Sequence, residues 1–142
     1  MKLTLIIPGE PCAQGRPRFS TRGGFAHAYD PAKSRNYKAF IKLVAADEIE
    51  KQGWKPTEMP LCAKINAYLS IPSKKSKKFK REANLGVWRP TKKPDLDNIV
   101  KTCQDALEGL AYKNDSQIIQ LEAGKFYSDE PRVEIELEVA AW

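Results

Sequence analysis

Four apolar residues alternate with glutamates near the C-terminal end of the chain, and this alternation constrains the fold more than any other feature. The apolar positions are Val133, Ile135, Leu137 and Val139. Successive side chains of a strand point to opposite faces, so a period of two predicts one buried face and one solvated face. The sequence therefore predicts a sheet whose apolar face is covered by other elements.

Three further segments predict strands, at residues 3–7, 62–71 and 117–127, and residues 128–131 predict the turn before the last strand. Residues 8–31 contain four prolines and four glycines and predict a long loop. Residues 72–93 also predict a loop, because they are rich in lysine and have no apolar period.

Two segments have apolar residues at helical spacing. The first begins at Asp30-Pro31, a typical N-cap and first helical residue, and ends near Gly53. The second follows Pro94, and its apolar stripe comprises Ile99, Val100, Cys103, Ala106, Leu107 and Leu110. The element order β-α-β-α-β-β, with a hairpin at the end, predicts an α/β (α+β) fold. We expect one domain over residues 1–142, with a mixed sheet of about four strands and helices packed on it.

The composition excludes several classes of protein. No apolar run approaches the roughly 18 residues of a membrane span, and Pro8 and Glu10 interrupt the short apolar start, which predicts a strand and not a signal peptide. The three cysteines form neither a Cys-x-x-Cys pair nor an even set, which favours a reducing compartment. We therefore expect a cytoplasmic protein without a membrane partner.

Positive charge is concentrated in one segment of a chain whose net charge is +6. Residues 72–93 contain nine basic residues and one acidic residue, a local charge of +8. Such a segment indicates a polyanionic partner such as nucleic acid, although a solvated lysine-rich loop is the plain alternative. The early arginines add to it, and the predicted DNA-binding residues are Arg16, Arg18, Arg22, Lys74, Lys75, Lys77, Lys78, Lys80, Arg81, Lys92 and Lys93. Phe79 and Trp88 in the same segment either stack on unpaired bases or pack against the domain.

Carboxylates and a lysine mark the start of the second helix. Asp97, Lys101 and Asp105 recur every four residues and share a face opposite the apolar stripe, with Asp95 just before the first turn. Two crowded carboxylates repel each other unless a cation separates them, and Mg²⁺ prefers such oxygen ligands. A lysine one turn away can hold a phosphate oxygen. The alternative is that one aspartate caps the helix and that Asp105 forms a salt bridge with Lys101.

The pattern is longer than this acidic turn. Asp95-Leu96-Asp97-Asn98, Lys101 and Asp105-Ala106-Leu107 are followed by Tyr112-Lys113-Asn114-Asp115-Ser116-Gln117-Ile118. Together with Gly15-Arg16-Pro17-Arg18 and the Glu-Pro-Arg-Val start of the last strand, this pattern resembles the RusA-type Holliday-junction resolvases over nearly the whole chain.

The resemblance implies a homodimeric, Mg²⁺-dependent endonuclease that makes paired symmetric cuts in four-way DNA junctions during recombination and repair, with Mn²⁺ as a possible substitute. Asp95, Asp97 and Asp115 fall on the metal-binding and catalytic aspartates of the family, and Lys101 falls on its catalytic lysine. Asn114 stands where the family often has another acid, which removes one possible negative charge near the metal.

Two other functions remain open from the residues. A non-catalytic module that binds branched DNA would explain the basic segment but not the aspartates with Lys101. A nuclease acting on RNA would use the same site.

Overall fold

A computed structural model of the chain describes residues 1–13, 18–20, 27–29 and 32–140, with the backbone alone at 18–20, 27–29 and 32–35. The strands are β1 (Lys2–Pro8), β2 (Arg18–Ser20), β3 (His27–Tyr29), β4 (Leu61–Ser70), β5 (Ile118–Ser128) and β6 (Arg132–Val139). The helices are α1 (Ala32–Gln52), α2 (Lys77–Asn84) and α3 (Leu96–Leu107), and a short 3₁₀ helix covers Asp115–Gln117. The predicted α+β fold with a mixed four-stranded sheet is confirmed.

The main sheet has the strand order β1-β6-β4-β5. β6 pairs antiparallel with both β1 and β4, whereas β4 and β5 are parallel. Parallel neighbours need a crossover connection, and residues 71–117 supply it, with α3 packed on β4 and β5.

The core lies between one face of this sheet and the helices α1 and α3. Every second residue of β1 and β4 is buried, and Val133, Ile135 and Leu137 of β6 point into the core as their alternation predicts, while Val139 is half-buried. Glu134, Glu136 and Glu138 lie on the opposite face, where Glu136 forms an ion pair of 2.8 Å with Lys2. Ile99, Val100, Cys103, Ala106 and Leu107 of the predicted α3 stripe are buried, and Leu110 packs against the core.

The predicted C-terminal hairpin is wrong. β5 and β6 are consecutive in the chain, but β4 lies between them in the sheet. The turn at residues 129–131 passes the end of β4, where Tyr68 pairs with both Phe126 of β5 and Arg132 of β6. The prediction failed because a short connection between two strands is typical of a hairpin. Here β4 lies between β5 and β6 and pairs with one of them on each edge.

Two predicted loops contain regular structure. β2 and β3 pair antiparallel within residues 8–31 (Arg18↔Tyr29 to Ser20↔His27), and strands of three residues are too short to show a period. α2 interrupts the basic segment, beginning after Ser76, whose side chain accepts a hydrogen bond from the N–H of Phe79 at 3.1 Å. Most residues of α2 are good helix formers. Ala83 is its one fully buried position, so the helix has no apolar stripe from which it could be predicted.

The predicted ends of α1 fall partly outside the described residues. Asp30 and Pro31 are not among them, so the N-cap prediction stays open, whereas the predicted end near Gly53 is confirmed. Gly53 has a φ of 68°, the left-handed conformation that ends many helices at glycine. No helix in the described part of the chain is both long enough and apolar enough to cross a membrane.

Candidate active site and nucleic-acid interface

Asp95 occupies the N-cap position of α3. Its backbone is extended, and its carbonyl oxygen accepts the N–H of Ile99 at 3.1 Å, the first hydrogen bond of the helix. An N-cap aspartate usually also accepts an N–H of the first turn with its carboxylate. The Asp95 side chain makes no such hydrogen bond, so capping does not occupy this carboxylate.

Asp97 and Lys101 lie one turn apart on the exposed face of α3, opposite the buried Ile99 and Cys103. Neither side chain forms a hydrogen bond or an ion pair with another residue in the described ranges. The expected salt bridge between Lys101 and Asp105 is therefore absent. Its absence is physically reasonable, because an exposed ion pair gains little after its side chains are ordered.

Asp115 lies in a different place, in the 3₁₀ helix that precedes β5. Asn114 caps this turn: its side chain accepts the Ser116 N–H at 2.9 Å, and its own N–H donates to Oε1 of Gln117 at 2.8 Å. Gln117 also donates to the carbonyl oxygens of Thr57 (2.8 Å) and Met59 (3.0 Å). From the sequence, Asn114 is interpreted only as the loss of a negative charge near the metal. The structure gives it a capping role, which its residue type could have indicated, because asparagine side chains often bond to nearby backbone groups.

The fold places Asp115 beside the far end of α3. Its N–H donates to Oε1 of Glu108 at 3.2 Å, and Glu108 caps the C terminus of the helix. Asp97 lies in the first turn, and the eleven-residue step to Glu108 corresponds to about 16 Å along the helix axis. No group of three or more acidic, histidine or cysteine side chains among the described residues could hold a metal ion. One chain therefore brings Asp95 and Asp97 to one end of α3 and Asp115 to the other.

Tyr112 is fully buried beneath the Asp115 end of α3, and its hydroxyl donates to the carbonyl oxygen of Gln104 at 2.7 Å. Burial first, and then the nearby charges of Asp115, Glu108 and Asp105, raise the pKa of Tyr112 well above its ordinary value. The phenol therefore stays protonated and serves as a structural donor. Asp105 is thus one of the three carboxylates near the Tyr112 hydroxyl.

Most of the predicted DNA-binding lysines are exposed on and around α2. Lys80 is half-buried, and Lys74, Lys75, Lys77, Lys78, Arg81, Lys92 and Lys93 are exposed. Arg18 lies in β2, of which the backbone alone is described, and Arg16 and Arg22 lie outside the described residues. The basic segment is thus a structured surface that leads directly into Asp95.

Three contacts that the sequence did not suggest hold this segment on β5. The Arg89 guanidinium lies 3.9 Å from the centre of the Phe126 ring, and its Nε donates to the carbonyl oxygen of Lys125. Nζ of Lys125 in turn donates to the carbonyl oxygen of Lys92. Gly124 makes room for this arrangement, because an added Cβ would lie 2.9 Å from the Phe126 ring and 3.1 Å from the Arg89 guanidinium. A glycine inside a strand pattern is the signal that could have indicated such a close approach.

Comparisons with known proteins show the family of the chain. Residues 8–138 match the family model described as endodeoxyribonuclease RusA. An uncharacterized protein, YqaN of Bacillus subtilis (strain 168), is 46% identical over 138 residues, which cover 94% of this chain and 93% of that protein. The crossover junction endodeoxyribonuclease rusA of Lactococcus phage r1t is 33% identical over 110 residues, which cover 77% of this chain and 75% of that protein. The chain belongs to the RusA family of endodeoxyribonucleases.

Proposed function

We propose that this protein is a divalent-metal-dependent, structure-selective endonuclease that resolves four-way DNA junctions by paired phosphodiester cuts. One observation carries the proposal: the carboxylate of Asp95 is left free at the start of α3, beside exposed Asp97 and Lys101, where the basic segment ends. The name of the phage relative, a crossover junction endodeoxyribonuclease, supports a junction as the substrate.

The residues at the start of α3 fit a hard divalent cation such as Mg²⁺, with Mn²⁺ as a substitute. Asp95 and Asp97 offer carboxylate oxygens that no hydrogen bond or ion pair within the described ranges engages. Mg²⁺ usually takes one or two carboxylates together with waters and a substrate phosphate. When bound, the metal supplies a more acidic water and a positive charge beside the scissile phosphate.

The chain's own residues supply the remaining electrostatics. Lys101, one turn from Asp97, places a cation where negative charge develops on the phosphate during hydrolysis. The exposed lysines of residues 72–93 hold the DNA backbone without reading its sequence. Binding energy from this surface fixes the phosphate against the carboxylates.

We infer further that the site is completed by a second copy of the chain. Asp115 contacts Glu108, which lies about 16 Å along the α3 axis from Asp97, and no three carboxylates among the described residues lie close enough to share one ion. In a C₂ dimer, Asp115 of the partner subunit can approach Asp95 and Asp97, and the reverse holds at the second site. A four-way junction has approximate two-fold symmetry, which suits a homodimer with two such sites.

The test of the function is nicking of a synthetic four-way junction in Mg²⁺, compared with nicking in EDTA and with a linear duplex. We expect Mg²⁺-dependent cuts in two opposed strands of the junction and little cleavage of the duplex. Binding without cleavage in both Mg²⁺ and Mn²⁺ would favour the non-catalytic binding module. Equal cleavage of an RNA junction would favour the RNA-directed nuclease.

The shared site is tested by mixing two inactive variants, Asp97→Asn and Asp115→Asn. If each site takes Asp97 from one chain and Asp115 from the other, mixed dimers contain one intact site, and nicking reappears. A mixture of Asp95→Asn and Asp97→Asn is the matched control, because both changes disable the same side of each site and no mixed dimer is intact. Equal inactivity of both mixtures would place each site within one chain.

The compartment is also part of the proposal. Cys12, Cys62 and Cys103 are free thiols, two of them half-buried and one buried, which suits the reducing cytoplasm proposed from the sequence.

A further inference from the structure

Three aromatic rings meet where α2 contacts β5. Phe79 and Trp88 are stacked, with ring centres 5.6 Å apart and planes inclined by 21°. Phe79 also meets Tyr127 of β5 edge to face, with ring centres 6.1 Å apart. Phe79 is therefore the packing residue of the group, between the strand and the Trp88 ring.

This packing covers only part of the Trp88 side chain. It remains 48% exposed, as expected for a ring with one face covered and the other in solvent, and Leu85 and Val87 beside it are 76% and 60% exposed. The turn after α2 brings it back over the helix, because Gly86, with a φ of 85°, reverses the chain and the Val87 N–H donates to the Glu82 carbonyl oxygen at 3.0 Å. The fold thus presents a large apolar ring to water.

The chain on both sides of Trp88 is anchored to the sheet or to its turns. Asn84, at the end of α2, forms two hydrogen bonds with Asp129 after β5, and Arg89, next to Trp88, is held by the Lys125 carbonyl oxygen and the Phe126 ring. The backbone is therefore anchored before and after Trp88, and its ring already stacks on Phe79 before any ligand arrives. A contact group that is already ordered loses little entropy on binding.

The charge around this ring is positive. Nζ of Lys75 lies 4.9 Å from the centre of the Phe79 ring, and Lys77, Lys78 and Arg81 are exposed on α2. An exposed apolar ring among cations is poorly suited to a neutral protein surface or to another basic surface. It suits a nucleobase, which offers a π face for stacking and carries its own phosphate.

We propose that Trp88, supported by Phe79, is a stacking platform for an unpaired base at the branch point of the DNA. This inference rests on the proposed function for its substrate. Asp95 is seven positions after Trp88, which limits the distance between their Cα atoms to about 24 Å even for a fully extended chain. A base on Trp88 therefore belongs to the same branch point as the phosphate at Asp95, which allows the platform to favour branched DNA over duplex.

The test measures binding in EDTA, so that it does not depend on cleavage. The full-length chain and its Trp88→Leu and Trp88→Phe variants are titrated with a four-way junction that carries an unpaired 2-aminopurine at the branch point, and with a linear duplex of the same sequence. Leucine keeps the apolar character and removes the π face, whereas phenylalanine keeps a ring. We expect Trp88→Leu to bind the junction about 10-fold more weakly with its duplex affinity unchanged, and Trp88→Phe to lose much less.

The 2-aminopurine fluorescence should be quenched on binding by the wild-type chain and by Trp88→Phe, but not by Trp88→Leu. Leu85→Ala is the control, because it removes a more exposed apolar side chain from the same turn and should change nothing. Equal thermal melting of all variants shows that they are folded. Wild-type junction affinity and quenching in Trp88→Leu, or an equal loss for junction and duplex, would overturn the platform.

This result is separate from the proposed function. Mg²⁺-dependent junction cleavage together with an unchanged Trp88→Leu affinity would keep the nuclease and remove the platform. Selective loss of junction binding in Trp88→Leu without cleavage by the wild-type chain would keep the platform and remove the nuclease.

Discussion

Asn84 and Asp129 are joined by two hydrogen bonds that run in opposite directions. Nδ2 of Asn84 donates to Oδ2 of Asp129 at 2.9 Å, and the backbone N–H of Asp129 donates to Oδ1 of Asn84 at 3.1 Å. The pair ties the last residue of α2 to the turn that leads from β5 to β6. The pair thereby fixes the basic segment to the sheet. The sequence of the basic segment does not predict this contact, because Asp129 lies 45 residues further along the chain.

Replacing Asn84 by Ala removes both bonds to Asp129, together with the bond from Asn84 Nδ2 to the Lys80 carbonyl oxygen within α2, and should loosen this helix. The two exposed bonds to Asp129 contribute about 1–2 kcal/mol, so amide exchange of residues 77–84 should become roughly 10-fold faster. Asp129→Asn is the control, since it keeps the backbone donor and a side-chain acceptor. Exchange in Asn84→Ala at the wild-type rate would mean that the pair does not hold the helix.

Replacing Gln117 by Ala should disturb Asp115. The change removes the bond to the Asn114 N–H and both bonds to the 57–59 segment, so we expect about 1–2 kcal/mol less stability and slower junction nicking at saturating DNA. Gln117→Glu keeps the acceptor for Asn114 and loses the donors, which separates the two contributions. Urea unfolding and nicking kinetics measure both effects. Wild-type nicking by Gln117→Ala would show that this anchoring does not matter for the site.

Replacing Lys74, Lys77 and Lys78 together by Ala should weaken DNA binding without a change in fold. Each lost phosphate contact lowers the slope of log K against log salt by about 0.9 on duplex DNA. Lys51, exposed on α1 and paired with Asp47, is the control position. An unchanged salt dependence would identify residues 74–78 as a solvated surface only.

Cys103 should make the fold less stable at high pH. Burial disfavours the thiolate and raises the pKa of Cys103 from 9.0 to about 12. The unfolded chain therefore loses this proton at lower pH than the folded chain, so the stabilisation is complete below pH 9 and is lost as the pH rises toward 12. Urea unfolding at pH 8 and pH 10.5 should show a smaller decrease for Cys103→Ala than for the wild-type chain. An equal decrease in both would exclude this thiol as a cause.

The sequence predicted the elements whose apolar residues repeat with a clear period. The alternation in β4 and β6 and the stripe of α3 gave correct strands, a correct helix and the correct buried faces. The neighbours within the sheet were not predictable in this way, because a period of two shows which face is buried but not which strand lies alongside. The helix α2 was missed for a related reason, since Ala83 alone is fully buried and the helix rests on its cap and on Phe79.

The candidate site was predictable in composition but not in arrangement. The positions of Asp95 and Asp97 follow from the start of a helix, and their exposure follows from the buried stripe opposite. The place of Asp115 depends on the turn after α3 and on contacts of Gln117 with a distant loop, which no local pattern contains. Arg89 was counted from the sequence only as one more positive charge, because its partner Phe126 lies on another strand.

The proposed nuclease activity requires that the carboxylates at the start of α3 hold a divalent metal. This requirement is tested by the rate of four-way-junction nicking in Mg²⁺ by Asp97→Asn, measured beside junction binding in EDTA. Asparagine keeps the shape and removes the charge, so we expect nicking to fall by roughly 100-fold or more while binding persists or tightens through lost repulsion. Nicking by Asp97→Asn at nearly the wild-type rate would show that the Asp97 carboxylate does not hold a metal needed for cleavage.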